Sequence, residues 1–303
     1  MNPQEGEILY IDKPLRWTSF DVVNKVRWLL CKRLGVKKLK VGHAGTLDPL
    51  ATGVMIVCTG RATKRIDELQ AGVKEYVATL RLGATTPSFD LEHPIDAYYP
   101  TEHITRELVE RVLRQFLGRI EQVPPSYSAV KVDGKRAYDL ARKDKDVELK
   151  PKVLVIDEIE LLEYKAKPLS KPLSNSPRGG ENSLSSCDND TIGYAALPPT
   201  GGAGRGASDL IPRTGMRNKA FLTATVPDDT TTDYPSITIR VVCSKGTYIR
   251  ALARDIGAAL SSGAHLTALR RTRVGDVSVA DCISMDAFPD WLEQQEIEVM
   301  LNS

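Results

Sequence analysis

The chain has 303 residues, 42% hydrophobic and 26% charged, which excludes a chain disordered throughout and supplies a sizeable core. Its 41 Lys and Arg stand against 39 Asp and Glu, a net charge of +2. That balance excludes a simple polycation, so any nucleic-acid surface must be a local patch.

Ile8 to Ile11 predicts a short buried strand, closed by Asp12-Lys13-Pro14. Thr18 or Ser19 can cap a helix running from Phe20 to Leu34, with Val22, Val26, Leu29 and Leu30 at helical spacing and Gly35 as the C-cap. Val54 to Cys58 is a short apolar run, hence a buried strand. Tyr76 to Leu82 alternates and predicts a half-buried strand, with Tyr76, Ala78, Leu80 and Leu82 on one face. Ile104 to Leu117 predicts a helix ended by Gly118, and Ala129 to Val132 a strand entering a hairpin turn at Asp133-Gly134. Lys152 to Tyr164 and Ser236 to Cys243 predict longer strands, and Tyr248 to Leu260 a helix. Strands and helices mix without a regular βαβ alternation, which favours an α+β fold.

The stretch from Lys165 to Tyr234 breaks this pattern. Of its 70 residues, 22 are Gly, Pro or Ser. Such a composition buries too little apolar surface to offset chain entropy, and it predicts a flexible insertion with one short strand at Phe221 to Val226. The expected organisation is a catalytic domain over residues 1–164 and 235–284, the insertion at 165–234, and a short acidic tail at 285–303. Charge is uneven as well. Lys25 to Lys40 holds seven basic residues and no acidic one, and Arg270-Arg271-Thr272-Arg273 forms a second cluster. The first is either a solvated helix face or a phosphate-binding stripe.

The five cysteines show no CxxC pair, and the odd, scattered count fits reduced thiols rather than a disulfide framework. The start carries neither a basic n-region nor an apolar h-region, and no apolar run approaches the roughly 20 residues of a membrane helix. A soluble, cytoplasmic protein is expected. The four histidines lack metal-ligand spacing, so no metal is expected.

The densest motif is Gly42-His43-Ala44-Gly45-Thr46-Leu47-Asp48-Pro49-Leu50-Ala51-Thr52-Gly53. Its glycines allow close backbone approach, and Pro49 biases Asp48 toward extended backbone. Asp48 is a candidate nucleophile or base; alternatively Asp48-Pro49 merely starts a turn. The loop is neither a P-loop nor GxGxxG, which argues against a nucleotide cofactor. His43 could stack on a base or meet a phosphate, or serve loop hydrogen bonding alone. Tyr76 could be core packing or a platform for an extruded base. Arg250 and Arg254 stand one helical turn apart, a mild repulsion that an anionic partner would remove. Asp48 is one such partner, and a surface carboxylate is another.

Together these motifs resemble the TruB-type tRNA pseudouridine-55 synthases. The resemblance runs from Ile8 to Arg273, interrupted by the insertion. It is carried by Asp12-Lys13-Pro14, the Gly42 to Gly53 motif, Lys74-Glu75-Tyr76, Pro125-Ser126-Tyr127-Ser128-Ala129-Val130-Lys131, Ala137-Tyr138-Asp139-Leu140-Ala141-Arg142, Cys243 to Arg250, and His265 to Arg271. It implies one mixed, mostly antiparallel sheet flanked by helices, with the active cleft across it. It implies that Asp48 attacks a uridine at the sugar or the base. Tyr76 would stack on the uracil and is the family's candidate for removing the C5 proton. Arg250 would pair with Asp48, Tyr248 and Leu269 would line the pocket, and His43 would support a flipped-out T-loop. Lys13, and Tyr127 and Lys131 within the segment Pro124 to Lys152, match regions that contact RNA.

The chemistry suits that assignment. Uridine and pseudouridine are isomers, so no cofactor or energy source is needed, and one carboxylate can form a transient covalent link. Leaving the stack costs a few kcal/mol, which an aromatic platform and basic contacts offset. The expected partner is the T arm of tRNA, with no membrane, guide RNA or obligatory protein partner. The sequence departs from the resemblance in two places. After Arg273 the chain has no Lys or Arg, which argues against the PUA-type RNA-binding domain common in the family. The insertion has no assigned role. The alternative reading is a non-catalytic tRNA-binding or tRNA-folding chaperone of the same family. A guide-dependent synthase is disfavoured by the missing domain.

Overall fold

The structure, a computed structural model, describes residues 1–128, 131–132, 135–136, 149–167 and 234–298. In chain order the elements are β1 (Ile8–Lys13), α1 (Ser19–Leu34), β2 (Val41–Ala44), β3 (Ala51–Thr59), α2 (Ile66–Ala71), β4 (Lys74–Leu82), β5 (Ala84–Thr85) and β6 (Ala97–Tyr98). There follow α3 (Arg106–Arg114), β7 (Gly118–Gln122), β8 (Lys131–Val132), β9 (Lys135–Arg136), β10 (Lys152–Lys165) and β11 (Ser236–Cys243). The chain continues with α4 (Ile249–Ala259), β12 (Ala264–Val274), β13 (Val277–Ser278), β14 (Ile283–Ser284) and α5 (Phe288–Glu293). The expected strand at Phe221 to Val226 and nearly all of the insertion lie outside the described residues.

One large sheet runs in the order β14-β1-β3-β12-β4-β11-β10-β7, with β2 on β3 and β13 on β12. The pairs β1–β14 and β3–β12 are parallel, and the others are antiparallel. The fold is α+β, with helices on the sheet. Strand β4 is central because its alternation is strict: Lys74, Tyr76, Ala78, Leu80 and Leu82 are buried and the residues between them are half-exposed. Each of its larger apolar side chains adds about 1.5–3 kcal/mol on burial. They meet Ile237, Ile239 and Val241 of β11 and the inner faces of α3 and α4 in the main core. A second core joins Leu9 and Ile11 of β1, Met55 and Val57 of β3, and Val22, Val26 and Leu30 of α1. The alternate β3 residues Val54, Ile56 and Cys58 pack with Ile66 and Leu69 around α2, so both faces of β3 are covered.

Helix α1 starts at a capping box: Thr18 Oγ1 accepts from the Asp21 N–H at 3.1 Å, and Asp21 Oδ2 accepts from the Thr18 N–H at 2.8 Å. It ends at Gly35 in the left-handed region, φ 67°. β8 and β9 pair antiparallel, Lys131 opposite Arg136 and Val132 opposite Lys135. Residues 285–298, the described part of the expected acidic tail, do not hang free. They form α5 and place Met285, Phe288 and Leu292 in the second core.

Candidate active site

The Gly42 to Gly53 motif joins β2 to β3 and presents Asp48 at a cleft of about 370 Å³. The loop is fixed from α1 and from β1. Ser19 Oγ donates to the Leu47 carbonyl at 3.0 Å and accepts from the Leu47 N–H at 2.9 Å. The Arg16 N–H donates to the Pro49 carbonyl at 2.8 Å. Lys13 Nζ donates to Pro49 O at 3.3 Å, to Pro14 O at 3.0 Å and to Trp17 O. Gly53 allows β3 to press against β12, since a Cβ there would stand 2.1 Å from the Arg271 carbonyl oxygen.

Asp48 Oδ2 lies 2.8 Å from Arg250 Nε; the arginine side chain is buried, while that of Asp48 is 38% exposed to the cleft. Arg250 is held on its other side as well. Its Nη1 donates to Ser88 O at 3.2 Å and its Nη2 to Tyr127 O at 2.8 Å. Asp90 Oδ2 stands 3.7 Å from Nε. Asp90 is itself pinned by Ser88 Oγ and the Glu92 N–H, both donating to Oδ1. Two carboxylates therefore share one buried guanidinium, and the bidentate geometry of arginine suits it to this. Burial, and then the charge of Asp90, push the nearby Glu92 carboxyl upward.

Tyr76, Tyr248, Ile249 and Leu269 supply the apolar wall of the cleft, with Asp48 and Arg250 beside them. Burial pushes the Tyr76 phenol above its usual range, against the charge of Arg271. Burial also raises the Tyr248 phenol. Both rings are neutral near neutral pH. Lys74, Lys152, Lys245 and Arg271 also line the cleft, so cations outnumber Asp48, its one carboxylate.

Five of the expected site residues, Asp48, Tyr76, Arg250, Tyr248 and Leu269, thus come together in one cleft. The others lie elsewhere. Lys13, expected among the RNA contacts, is fully buried and serves the Asp48 loop through three carbonyls. His43 does not line the cleft. It is half-buried on β2, and burial lowers its pKa. Tyr127 offers Arg250 its backbone, while its ring lies 4.6 Å from that of His93. Lys131 lies in β8. The cluster Arg270-Arg271-Thr272-Arg273 is engaged within the fold. Arg270 pairs with Asp12 at 2.7 Å, Arg273 with Glu75 at 3.6 Å, and buried Arg271 donates to Val54 O and Gly45 O. Asp90 was not singled out from the sequence, where Ser88-Phe89-Asp90 resembles any polar turn. Among the described residues no group of three His, Cys, Asp or Glu could hold a metal, and no helix is long and apolar enough to cross a membrane.

A cleft across a mixed sheet, with an arginine-held aspartate facing an aromatic ring, places the chain in the pseudouridine synthase class. The same fold occurs in the solved Cbf5-Nop10-Gar1 complex, at a TM-score of 0.55 and 24% identity over 96% of this chain and 56% of that one. It also occurs in an H/ACA RNP bound to a substrate RNA containing 2′-deoxyuridine, at a TM-score of 0.52 and 22% identity over 95% and 54%. The chain spans just over half the length of those two. Residues 32–176 match the N-terminal domain of the TruB family pseudouridylate synthases, and residues 250–303 match the tRNA pseudouridylate synthase B C-terminal domain. The chain belongs to the TruB family. Relatives named tRNA pseudouridine synthase B include that of Phocaeicola vulgatus, 58% identical over 302 residues and 100% of both chains. That of Bacteroides thetaiotaomicron is 56% identical over 98% of both. That of Thermus thermophilus is 37% identical over 96% of this chain and 80% of its own.

Proposed function

We propose that the protein isomerises a uridine in the T arm of tRNA, at position 55, to pseudouridine. The observation that carries the chemistry is the Asp48 carboxylate, 2.8 Å from buried Arg250 and open to a cleft walled by Tyr76 and Leu269. In the reaction the C1′–N1 bond breaks, a C1′–C5 bond forms, the C5 proton leaves and N1 gains one. Atoms balance within one nucleotide, so the chain needs only a nucleophile, a platform and a closed pocket. Asp48 is the nucleophile, with its charge balanced by Arg250. Tyr76 stacks on the face of the detached base and is the candidate for relaying the C5 proton. Lys152 and Lys245, both exposed, supply cations toward the phosphates of the extruded nucleotide.

The names of the relatives support tRNA as the substrate. The basic stretch from Lys25 to Lys40 supports a wider contact. Trp28 on α1 is 55% exposed, with Lys25 Nζ 5.0 Å and Lys32 Nζ 5.5 Å from its ring centre. Recognition then rests on the T arm, without guide RNA or partner protein. A T-arm transcript incubated with purified protein alone tests the reading. Wild type forms pseudouridine, and Asp48→Asn binds the transcript but forms none. Turnover by Asp48→Asn would refute the nucleophile. Binding without turnover by the wild type would favour the chaperone reading.

A further inference from the structure

Gln122, the last residue of β7, breaks the apolar pattern of its face. Ile120, two residues earlier on the same face, is buried, as an inward strand position should be. Gln122 is also buried, at 1% exposure, yet carries a primary amide. Both of its polar atoms go to one residue. Oε1 accepts from the Tyr248 N–H at 2.9 Å, and Nε2 donates to the Tyr248 carbonyl at 3.2 Å. Tyr248 is extended, φ −99° and ψ 108°, so its N–H and C=O point to the same side. A primary amide presents a donor and an acceptor side by side and meets them as a neighbouring strand would.

We propose that Gln122 is a positioning residue for the reaction, acting through the backbone of Tyr248. Tyr248 is the N-cap residue of α4 and has no side-chain cap of its own. The amide of Gln122 therefore fixes the point where the chain enters the helix that carries Arg250. The ring of Tyr248 and the guanidinium of Arg250 both face the substrate cleft. Two further ties run from the same segment to α4: Arg254 Nη2 donates to Val123 O at 3.0 Å, and Arg250 Nη2 to Tyr127 O at 2.8 Å. The end of β7 and the start of α4 thus move as one unit, and the amide of Gln122 sets their register. The inference rests on the roles assigned to Asp48 and Arg250 above.

Two variants test it, measured by single-turnover pseudouridine formation and by tRNA affinity. Gln122→Met keeps the bulk but has neither donor nor acceptor. Its rate should fall at least tenfold while its tRNA affinity stays within threefold of wild type. Gln122→Glu offers only acceptors when ionised, and a donor with an acceptor when protonated. The charged side chains near this segment include Glu121 of β7, Arg250, Arg254 and the Arg254-paired Asp255 of α4, and Lys152, opposite Gln122 on β10. The rate of Gln122→Glu relative to wild type at the same pH should rise at least threefold between pH 8 and pH 5.5. A rate for Gln122→Met within twofold of wild type would overturn the proposal. So would a pH-independent ratio for Gln122→Glu, which decides the matter if the Met variant does not fold. Inactive wild type in the same assay would instead refute the reading of function.

Discussion

Asp48 is placed by residues remote from it in sequence. Lys13 is the clearest case. Burial pulls its ammonium from 10.5 down to about 8, and the charge of Asp48 opposes that shift. Below pH 8 Lys13 is charged and has three donors for three carbonyls. The folded state binds fewer protons than the unfolded state between about 8 and 10.5. The stability cost of this lysine is therefore full below pH 8 and relieved as pH rises. Function should run the other way, because the neutral amine has only two donors and releases the loop at Pro49. Turnover should fall as pH rises through about 8, and Lys13→Arg should move that limb upward, since a guanidinium stays charged. Lys74 is lowered to about 8 too, chiefly by burial, so a limb unmoved in Lys13→Arg assigns it to Lys74. Asp90 makes a second case. It touches Arg250 and does not need to touch the substrate. Asp90→Asn leaves the hydrogen bonds from Ser88 and Glu92 to Oδ1 in place but removes a charge beside the guanidinium. Arg250 then turns more fully onto Asp48 and weakens it as a nucleophile. The rate should drop about tenfold, ~1.4 kcal/mol in the barrier, with tRNA affinity unchanged.

At the scale of elements, what could be read from sequence depended on whether a local pattern reported a local environment. Strand β4 alternates because one face meets the core, and its period of two is visible from Tyr76 to Leu82. Helix α1 carries its own boundaries, Thr18 with Asp21 at one end and Gly35 at the other. Strand β12 gave no such signal. Its run Arg270-Arg271-Thr272-Arg273 looks solvated, yet Arg271 is fully buried because the carbonyls of Val54 and Gly45 satisfy it. The same holds for Lys13, whose acceptors are Pro14 O and Trp17 O just after it and Pro49 O of the Asp48 loop. Asp48 and Arg250 could be paired by charge logic and by motif. Asp90 and Gln122 could not, because the contacts that bring them to Arg250 and Tyr248 are tertiary. Residues 285–298 were hidden by composition: acidic side chains dominate, while Phe288 and Leu292 do the packing. Truncating Phe288, which is fully buried, should therefore cost about 3–5 kcal/mol and lower the melting temperature. Calorimetry on Phe288→Ala measures this, and an unchanged melting temperature would show that α5 is dispensable to the fold.

For the whole molecule, the net charge of +2 averages over opposed regions. The α1 side of the chain is basic, and after Arg273 every charged residue is acidic. A balanced total is therefore compatible with a polyanionic substrate bound on one side. Length conceals a similar division. β10 ends at Lys165 and β11 begins at Ser236, and these two residues are direct partners in the antiparallel ladder. The 70 residues between Lys165 and Ser236 thus begin and end at neighbouring points of one sheet. Joining two such strands needs only a hairpin, and the entropy of closing a loop grows slowly with its length, roughly 0.6 kcal/mol per doubling. A chain that makes so long an excursion between paired strands should lose little when it is shortened. Removing Ser170 to Asp229 keeps Tyr234, whose ring lies 5.7 Å from that of Tyr98 and under the Arg81 guanidinium. The deletion should fold, melt within a few degrees of the full chain, and form pseudouridine at a rate within about threefold of wild type. Thermal melting and single-turnover assays on the shortened chain check both points. Loss of folding would show that the insertion packs on the sheet, and normal folding with weakened tRNA binding would make it part of the RNA-binding surface.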